Sequence, residues 1–260
     1  MSIDDFDNLF NLEGKRAVVS GGSRGIGKMI AEGLVRAGVE VTISARKAEA
    51  CDETAAELSQ LGTCHSVPAD LTNPDGVAAL VDSLGGSPLD ILVNNAGATW
   101  GEPIDDFPDA AFDKVLDINV KAVFSLTQAL LPNLRAAGSS EDPARVINIG
   151  SIDGIKVPVL ESFSYSASKA AVHQLTRHLA SRLGREHITV NAIAPGPFES
   201  KMMAFALNDP DTRAGIERGI PLGRIGSPED VAGTTIFLAS RAGAYLTGAI
   251  IPVDGGITTQ

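Results

Sequence analysis

Short apolar runs rich in β-branched residues alternate with helical patterns along nearly the whole sequence, and this alternation restricts the fold more than any other feature. Strands are expected at RAVVS (16–20), VEVTISA (39–45), HSVPADL (65–71), LDILVNNAG (89–97), ARVINIGS (144–151), HITVNAIAPG (187–196) and AIIPVDGG (249–256). Helical patterns cover about 25–38, 47–62, 74–84, 109–137, 164–185 and 228–240. Runs without polar alternation suit strands covered on both faces, and parallel strands need a crossover, usually helical, to connect them. Repeated strand–helix units with no break in composition predict one α/β domain over 1–260, a doubly wound parallel sheet of seven strands. With 44% hydrophobic residues the chain can bury a core of that size. The stretch 197–223 interrupts the pattern after a strand's carboxyl end, where such sheets place ligands, and is expected to form a helical substrate lid.

The charge balance removes several partners. There are 32 acidic against 21 basic residues, a net charge of −11, whereas nucleic acid and anionic membranes are bound by excess Lys and Arg. Neither is expected as a partner. Cys51 and Cys64 lack metal-ligand spacing and read as reduced packing residues. His65, His173, His178 and His187 form no HxxxH or HExxH arrangement, so no metal site is expected. The segment MSIDDFDNLFNLEGK lacks the charged-then-apolar order of a signal peptide, and no apolar run reaches the length of a membrane span. A soluble cytoplasmic protein is the expectation.

After the first strand comes SGGSRGIGKMIA (20–31), with glycines at 21, 25 and 27. Gly21 permits a tight turn, Gly25 lets backbone approach a phosphate, and Gly27 allows close helix–sheet packing. The helix that begins there would aim its free N–H groups at a pyrophosphate, as in Rossmann-type dinucleotide sites. The second strand ends ISARK, without the carboxylate that accepts hydrogen bonds from the ribose hydroxyls of NAD. Arg46 there and Arg24 in the glycine turn suit a 2′-phosphate instead. The expected cofactor is NADP(H).

In FSYSASKAAVHQL (163–175), Tyr165 precedes Lys169 by four residues. Residues so spaced share a helix face. Taken alone they leave two readings open: a core tyrosine beside a lysine whose stem snorkels to water, or an acid–base pair lining a site.

Together, GGSRGIG (21–27), NNAG (94–97), Asn119 within DIN, Ser151 within NIGS, YSASK (165–169) and PG (195–196) resemble, in order, the motifs of the short-chain dehydrogenase/reductase family. The resemblance runs from about Gly14 to Gly256. Within the family the chain is most similar to 3-oxoacyl thioester reductases, particularly the branch associated with rhamnolipid biosynthesis. LDILVNNAG, PARVINIGS, TGAIIPVDGG and the long Ser151-to-Tyr165 spacing carry that similarity.

The resemblance implies a catalytic set of Asn119, Ser151, Tyr165 and Lys169. Tyr165 would exchange a proton with the substrate oxygen while the nicotinamide exchanges hydride. A free phenol has a pKa of about 10, and one neighbouring cation shifts a group by about 1–3 units. Lys169 is therefore expected to draw Tyr165 toward neutrality, as well as to hold the nicotinamide ribose. Ser151 would donate to the developing alkoxide, and Asn119 would connect Lys169 to solvent through water. By the same resemblance Gly21, Ser23, Arg24, Gly25, Ile26 and Gly27 would wrap the pyrophosphate. Asp70 would contact the adenine, with Leu71 beside it, and Asn95, Ala96 and Gly97 would line the adenosine ribose. Pro195, Gly196, Phe198 and Ser200 would border the nicotinamide carboxamide, although Phe198 stands where the family often has a smaller aliphatic and Ser200 where threonine is common.

Three departures bear on substrate. Ser151 and Tyr165 are one residue further apart than in typical fatty-acid-synthesis reductases, so 152–163 is expected to bulge at the entrance. Where carrier-dependent relatives have arginines, this chain aligns Pro132 and Glu186, with Arg135 and Arg185 only nearby. With the net charge, that argues against strong docking of an acidic carrier. Trp100, Ile155, Val157, Met202, Met203 and Phe205 make the entrance and lid apolar, which favours a lipophilic ketone or acyl thioester. The leading expectation is NADPH-dependent reduction of a 3-oxoacyl thioester. A secondary-alcohol, polyol or steroid dehydrogenase is the alternative, and a non-catalytic NADP(H)-binding sensor the alternative from another class. The resemblance also implies a homotetramer or homodimer built on the helices near 109–137 and 164–185 and the last strand.

Overall fold

Successive residues of a strand point to opposite faces, and in the five inner strands of this sheet both faces are buried. The computed structural model describes residues 6, 8–200, 203 and 208–259, so Met202 and Phe205 of the expected lid lie outside the described residues. Seven strands form one sheet: β1 (Arg16–Ser20), β2 (Glu40–Ser44), β3 (Cys64–Ser66), β4 (Ile91–Asn94), β5 (Ala144–Ile149), β6 (Ile188–Pro195) and β7 (Ile250–Val253). All pairings are parallel, in the order β3-β2-β1-β4-β5-β6-β7. The helices are α1 (Gly25–Arg36), α2 (Ala48–Leu58), α3 (Pro74–Ser83), α4 (Asp109–Leu116), α5 (Ala122–Ala129), α6 (Leu131–Ala137), α7 (Phe163–Leu183), α8 (Pro210–Arg218) and α9 (Pro228–Ala239).

Val19, Ile43, Val93 and Ile147 pack on one face against Leu34 of α1, Leu58 of α2 and Leu238 of α9. Val18, Leu92, Val146 and Val190 pack on the other against Leu80 of α3, Leu126 of α5, Leu134 of α6 and Leu183 of α7. Each such side chain contributes about 1.5–3 kcal/mol by leaving water. Arg145 is fully buried in β5, where it donates to the carbonyls of Leu238 (3.2 Å) and Ser240 (3.0 Å) and closes the carboxyl end of α9. No helix among the described residues is long and apolar enough to cross a membrane.

Several boundaries depart from expectation. The third strand stops at Ser66 because Pro68, lacking an N–H, cannot continue an ordinary ladder. The fourth ends at Asn94, the fifth at Ile149 and the last at Val253. The long helix expected over 109–137 is three helices. A π-helical turn at Asp117–Lys121 separates α4 from α5, and Leu130, at φ −90° and ψ 1°, separates α5 from α6 just before Pro132. The π turn carries Asn119 inward, and such turns occur mostly at functional sites.

The strand order reverses between β1 and β4. The loops leaving these two neighbours therefore diverge to opposite sides and open a crevice at the carboxyl edge.

Candidate active site

The crevice begins with the glycine turn. Gly21 and Gly25 have φ of +66° and +53°, the left-handed region in which a side chain costs about 1–2 kcal/mol. The N–H groups of Gly21 and Gly22 donate to the Ser44 carbonyl at the end of β2, at 2.7 and 3.3 Å. The Asn95 amide donates to the carbonyls of Ser20 and Gly21, at 3.0 and 3.1 Å, and the Ser20 hydroxyl accepts from the N–H groups of Asn95 and Ala96. A Cβ on Gly27 would lie 2.3 Å from both Gly21 O and Asn95 Nδ2. Asn95 thus spends its side chain on shaping the turn and offers an approaching ligand only its backbone.

Arg24, the residue before α1, is extended and makes no capping bond with its side chain, and the first turn of α1 holds no acid. Elsewhere Asn73 caps α3 and Asp209 caps α8. The positive end of α1 is thus left for an outside anion. Arg24 and Arg46 are exposed beside it. This set fits the diphosphate and an adenosine phosphate of a dinucleotide. Asp70 accepts from Thr72 Oγ1 (2.7 Å) and Thr72 N (3.0 Å); these bonds, and to a smaller extent Arg46, hold its carboxyl below the usual range.

Other expected cofactor residues are placed differently. Leu71 is buried in the core beneath the sheet, so its side chain is not on offer. Phe198, at 2% exposure, packs into the opposite core layer over Gly226, not against the crevice, because the chain after Pro197 turns inward there. Ser200 accepts from the N–H of Met203 and lies across from Gly25, where an added Cβ would meet its own at 3.4 Å. Ser23 and Ile26 are half-buried in the glycine turn, the Ser23 carbonyl accepting from Thr54 at 3.0 Å. Pro195 ends β6, and Gly196 donates to Val253 at 3.0 Å.

Beyond β5 the chain builds the second wall. Ser151 caps a short 3-10 turn, Ile152–Gly154, its hydroxyl accepting from the Asp153 N–H at 3.1 Å. Tyr165 on α7 faces Ser151, which acts on the phenol to lower its pKa. One turn on, the Lys169 ammonium sits 5.5 Å from the centroid of the Tyr165 ring and donates to the Ile149 carbonyl at 2.7 Å. Asn119 accepts from Ala98 N (2.8 Å) and donates to Ala98 O (2.9 Å) and Ser168 Oγ (2.8 Å). Lys169 lies against Tyr165, and Ser151 acts on the same phenol. Asn119 reaches α7 through Ser168, the neighbour of Lys169, with its side chain committed to Ala98 and Ser168.

The charge states differ from expectation at the tyrosine. Burial outweighs the pull of Ser151 and, with Asp153 adding, pushes the phenol up to about 12. Lys169 does not draw it toward 7; its ammonium lies over the ring, 5.5 Å from the centroid. Burial pushes Lys169 down to about 8, and Asp153 opposes that shift.

Sequence reasoning missed two residues here. Asp153 is an acid in an otherwise apolar turn, half-buried, with its carboxyl raised by burial against the pull of Lys156 and Lys169. His173 repeats the Tyr165–Lys169 spacing one turn further along the helix. It is buried, its Nε2 has no hydrogen-bond partner, and it packs so closely that a Cβ on Gly150 would lie 2.2 Å from that atom. Burial, chiefly, pushes it down to about 4, so it is neutral. The repeated spacing was the signal for His173.

The entrance is apolar: Trp100, Ile155, Val157, Val159, Leu160 and Phe163 are exposed. Away from it, Arg135 is held by Glu186 at 2.6 Å.

A family model described as enoyl-(acyl carrier protein) reductase matches residues 21–258. The chain is 51% identical to a rhamnolipid-biosynthesis 3-oxoacyl-(acyl-carrier-protein) reductase of Pseudomonas aeruginosa, over 95% of this chain and 97% of that protein. It is 36% identical to a gluconate 5-dehydrogenase of Gluconobacter oxydans, over 97% and 98%. Among solved structures it is similar to a Pseudomonas aeruginosa RhlG/NADP active-site complex, with a TM-score of 0.94 and 51% identity over 96% of this chain and 99% of that one.

Proposed function

The chain belongs to the short-chain dehydrogenase/reductase family, and from that premise we propose that it is an NADPH-dependent enzyme that reduces the keto group of a 3-oxoacyl thioester. The observation that carries this reading is the meeting of Ser151, Tyr165 and Lys169 at the same sheet edge as the Gly21–Gly27 cradle. The glycine turn, the start of α1 and the exposed Arg24 and Arg46 would hold NADPH, which when bound would supply the hydride for the keto carbon.

Tyr165 gives its proton to the carbonyl oxygen. A phenol held near 12 is protonated throughout the neutral range, the state a proton donor needs. Ser151 has one acceptor position filled by Asp153 N–H, which leaves its own proton for an oxygen in the crevice. Lys169 places positive charge beneath the pair and orients the nicotinamide ribose. Asn119 holds the loop after β4 to α7 through Ser168, the neighbour of Lys169.

Exposed Arg24 and Arg46, with no acid closing β2, support NADPH over NADH. The apolar entrance supports an acyl chain, and it disfavours the sugar acids named for the 33–39% identical dehydrogenases. With Arg135 paired to Glu186 and a net charge of −11, a coenzyme A thioester suits the surface better than an acidic carrier. The same reading makes the chain one domain, acting in the cytoplasm as a homotetramer or homodimer through α4–α5, α7 and β7.

The test is the initial rate of NADPH oxidation with a medium-chain 3-oxoacyl coenzyme A, with NADH and Tyr165→Phe as controls. Turnover that needs NADPH and disappears in the variant is expected. NADPH binding without turnover on this substrate overturns the thioester assignment.

A further inference from the structure

We propose that His173 is the positioning residue for Ser151: its imidazole, wedged between Gly150 and Gly154, fixes where the serine hydroxyl stands relative to Tyr165. The kinetic part rests on the reductase reading above. The placement does not.

The ring meets the chain on both sides of Ser151. A Cβ on Gly150 would lie 2.2 Å from His173 Nε2 and 2.7 Å from Cδ2, and one on Gly154 would lie 2.9 Å from Cε1. A side chain at either glycine would collide with the ring, so the bare backbone rests on the imidazole at both points. His173 is buried, and Nε2, the atom nearest Gly150, has no hydrogen-bond partner. On that edge the contact is one of shape.

The hydrogen bonds around Ser151 tie it to the sheet and to its own turn. Upstream, Gly150 N–H donates to the Ile193 carbonyl of β6 at 2.7 Å. Downstream, Asp153 N–H donates to Ser151 Oγ and Gly154 N–H to Ser151 O, both at 3.1 Å. Tyr165 and Lys169 belong to α7, and none of these bonds reaches that helix. The turn meets α7 by packing instead. A Cβ on Gly154 would be 2.7 Å from Lys169 C and Ala170 N, and the His173 ring stands beside them. The imidazole therefore spaces the end of β5 and the turn from the helix that bears the phenol. Without it a gap opens beneath Ser151, and chain around an emptied site settles partly into the space. The serine then shifts, while Tyr165 keeps its place on α7. His173 acts through Ser151 and is not a catalytic residue.

The experiment joins a double-mutant cycle to a crystal structure, both on the full chain. Rates of NADPH oxidation give kcat and KM for wild type, His173→Ala, Ser151→Ala and the double variant. His173→Ala is expected to lower kcat by about ten-fold or more and to leave KM for NADPH within about three-fold. With Ser151 already removed, His173→Ala should lower kcat by less than about two-fold further. His173→Asn, shorter than histidine but polar, takes the place of alanine if alanine prevents folding. Losses that multiply in the double variant overturn the proposal, because His173 would then act by another route. In the crystal structure of the His173 variant, Ser151 Oγ should move by more than about 0.5 Å against an unmoved Tyr165, beyond what a reacting group tolerates. A serine left in place overturns the proposal. The crystal arm needs no substrate, so an error in the ketone assignment would leave that arm decisive.

Discussion

Lys169 carries its ammonium over the face of the Tyr165 ring, 5.5 Å from the centroid, while donating to the Ile149 carbonyl. The cation steadies the ring without lowering the phenol. Tyr165 is therefore suited to giving a proton at neutral pH. Tyr165→Phe should lower kcat for reduction by about 10²–10⁴-fold, the usual worth of a positioned proton donor. NADPH binding, followed by fluorescence titration, should stay within a few-fold of wild type. Retained turnover would remove Tyr165 from the mechanism.

Arg46, just past the end of β2, is exposed, as is Arg24 of the glycine turn. A charge-assisted bond to phosphate is worth about 1.5–3 kcal/mol. Arg46→Ala should raise KM for NADPH by roughly 10–100-fold and leave KM for NADH unchanged. An equal rise for both cofactors would indicate a general electrostatic effect in place of 2′-phosphate recognition.

His173 makes stability depend on pH. Its folded pKa, about 4, lies below the ordinary 6.5, so the unfolded chain takes up the proton first as pH falls. The contribution is complete above pH 6.5 and is lost between 6.5 and 4, by at most roughly 3 kcal/mol. Urea unfolding of His173→Gln should show a flatter dependence across that window. An unchanged slope would show that His173 titrates alike in both states.

Phe198 belongs to the core and not to the cofactor crevice. Phe198→Ala should cost about 3–5 kcal/mol in denaturant unfolding, as large-to-small core changes do. NADPH affinity measured well below the unfolding midpoint should stay within a few-fold. A selective loss of affinity without a loss of stability would return Phe198 to the nicotinamide site.

Features carried by near neighbours in the chain were legible beforehand. Alternating apolar runs located all seven strands, since period 2 and period 3.6 are set by local geometry. The spacing of Gly21, Gly25 and Gly27 marked the cradle, and the four-residue step from Tyr165 to Lys169 marked the other wall. The break at Asp117–Lys121 was not legible, because a π turn leaves the helical composition intact and only the inward hydrogen bonds of Asn119 to Ala98 and Ser168 give it away.

By itself, then, the sequence determined the order of strands and helices, the glycine turn and the residue types proposed to react. All of these are local patterns or residue types. The tertiary structure alone decided that Asn95 would close on Gly21 from 74 residues away, that Phe198 would turn inward, and that the Ile152–Gly154 turn would pack on α7 at Lys169. It also decided which groups hold their protons. Burial and through-space charge set those states, and neither has a period that a sequence can display.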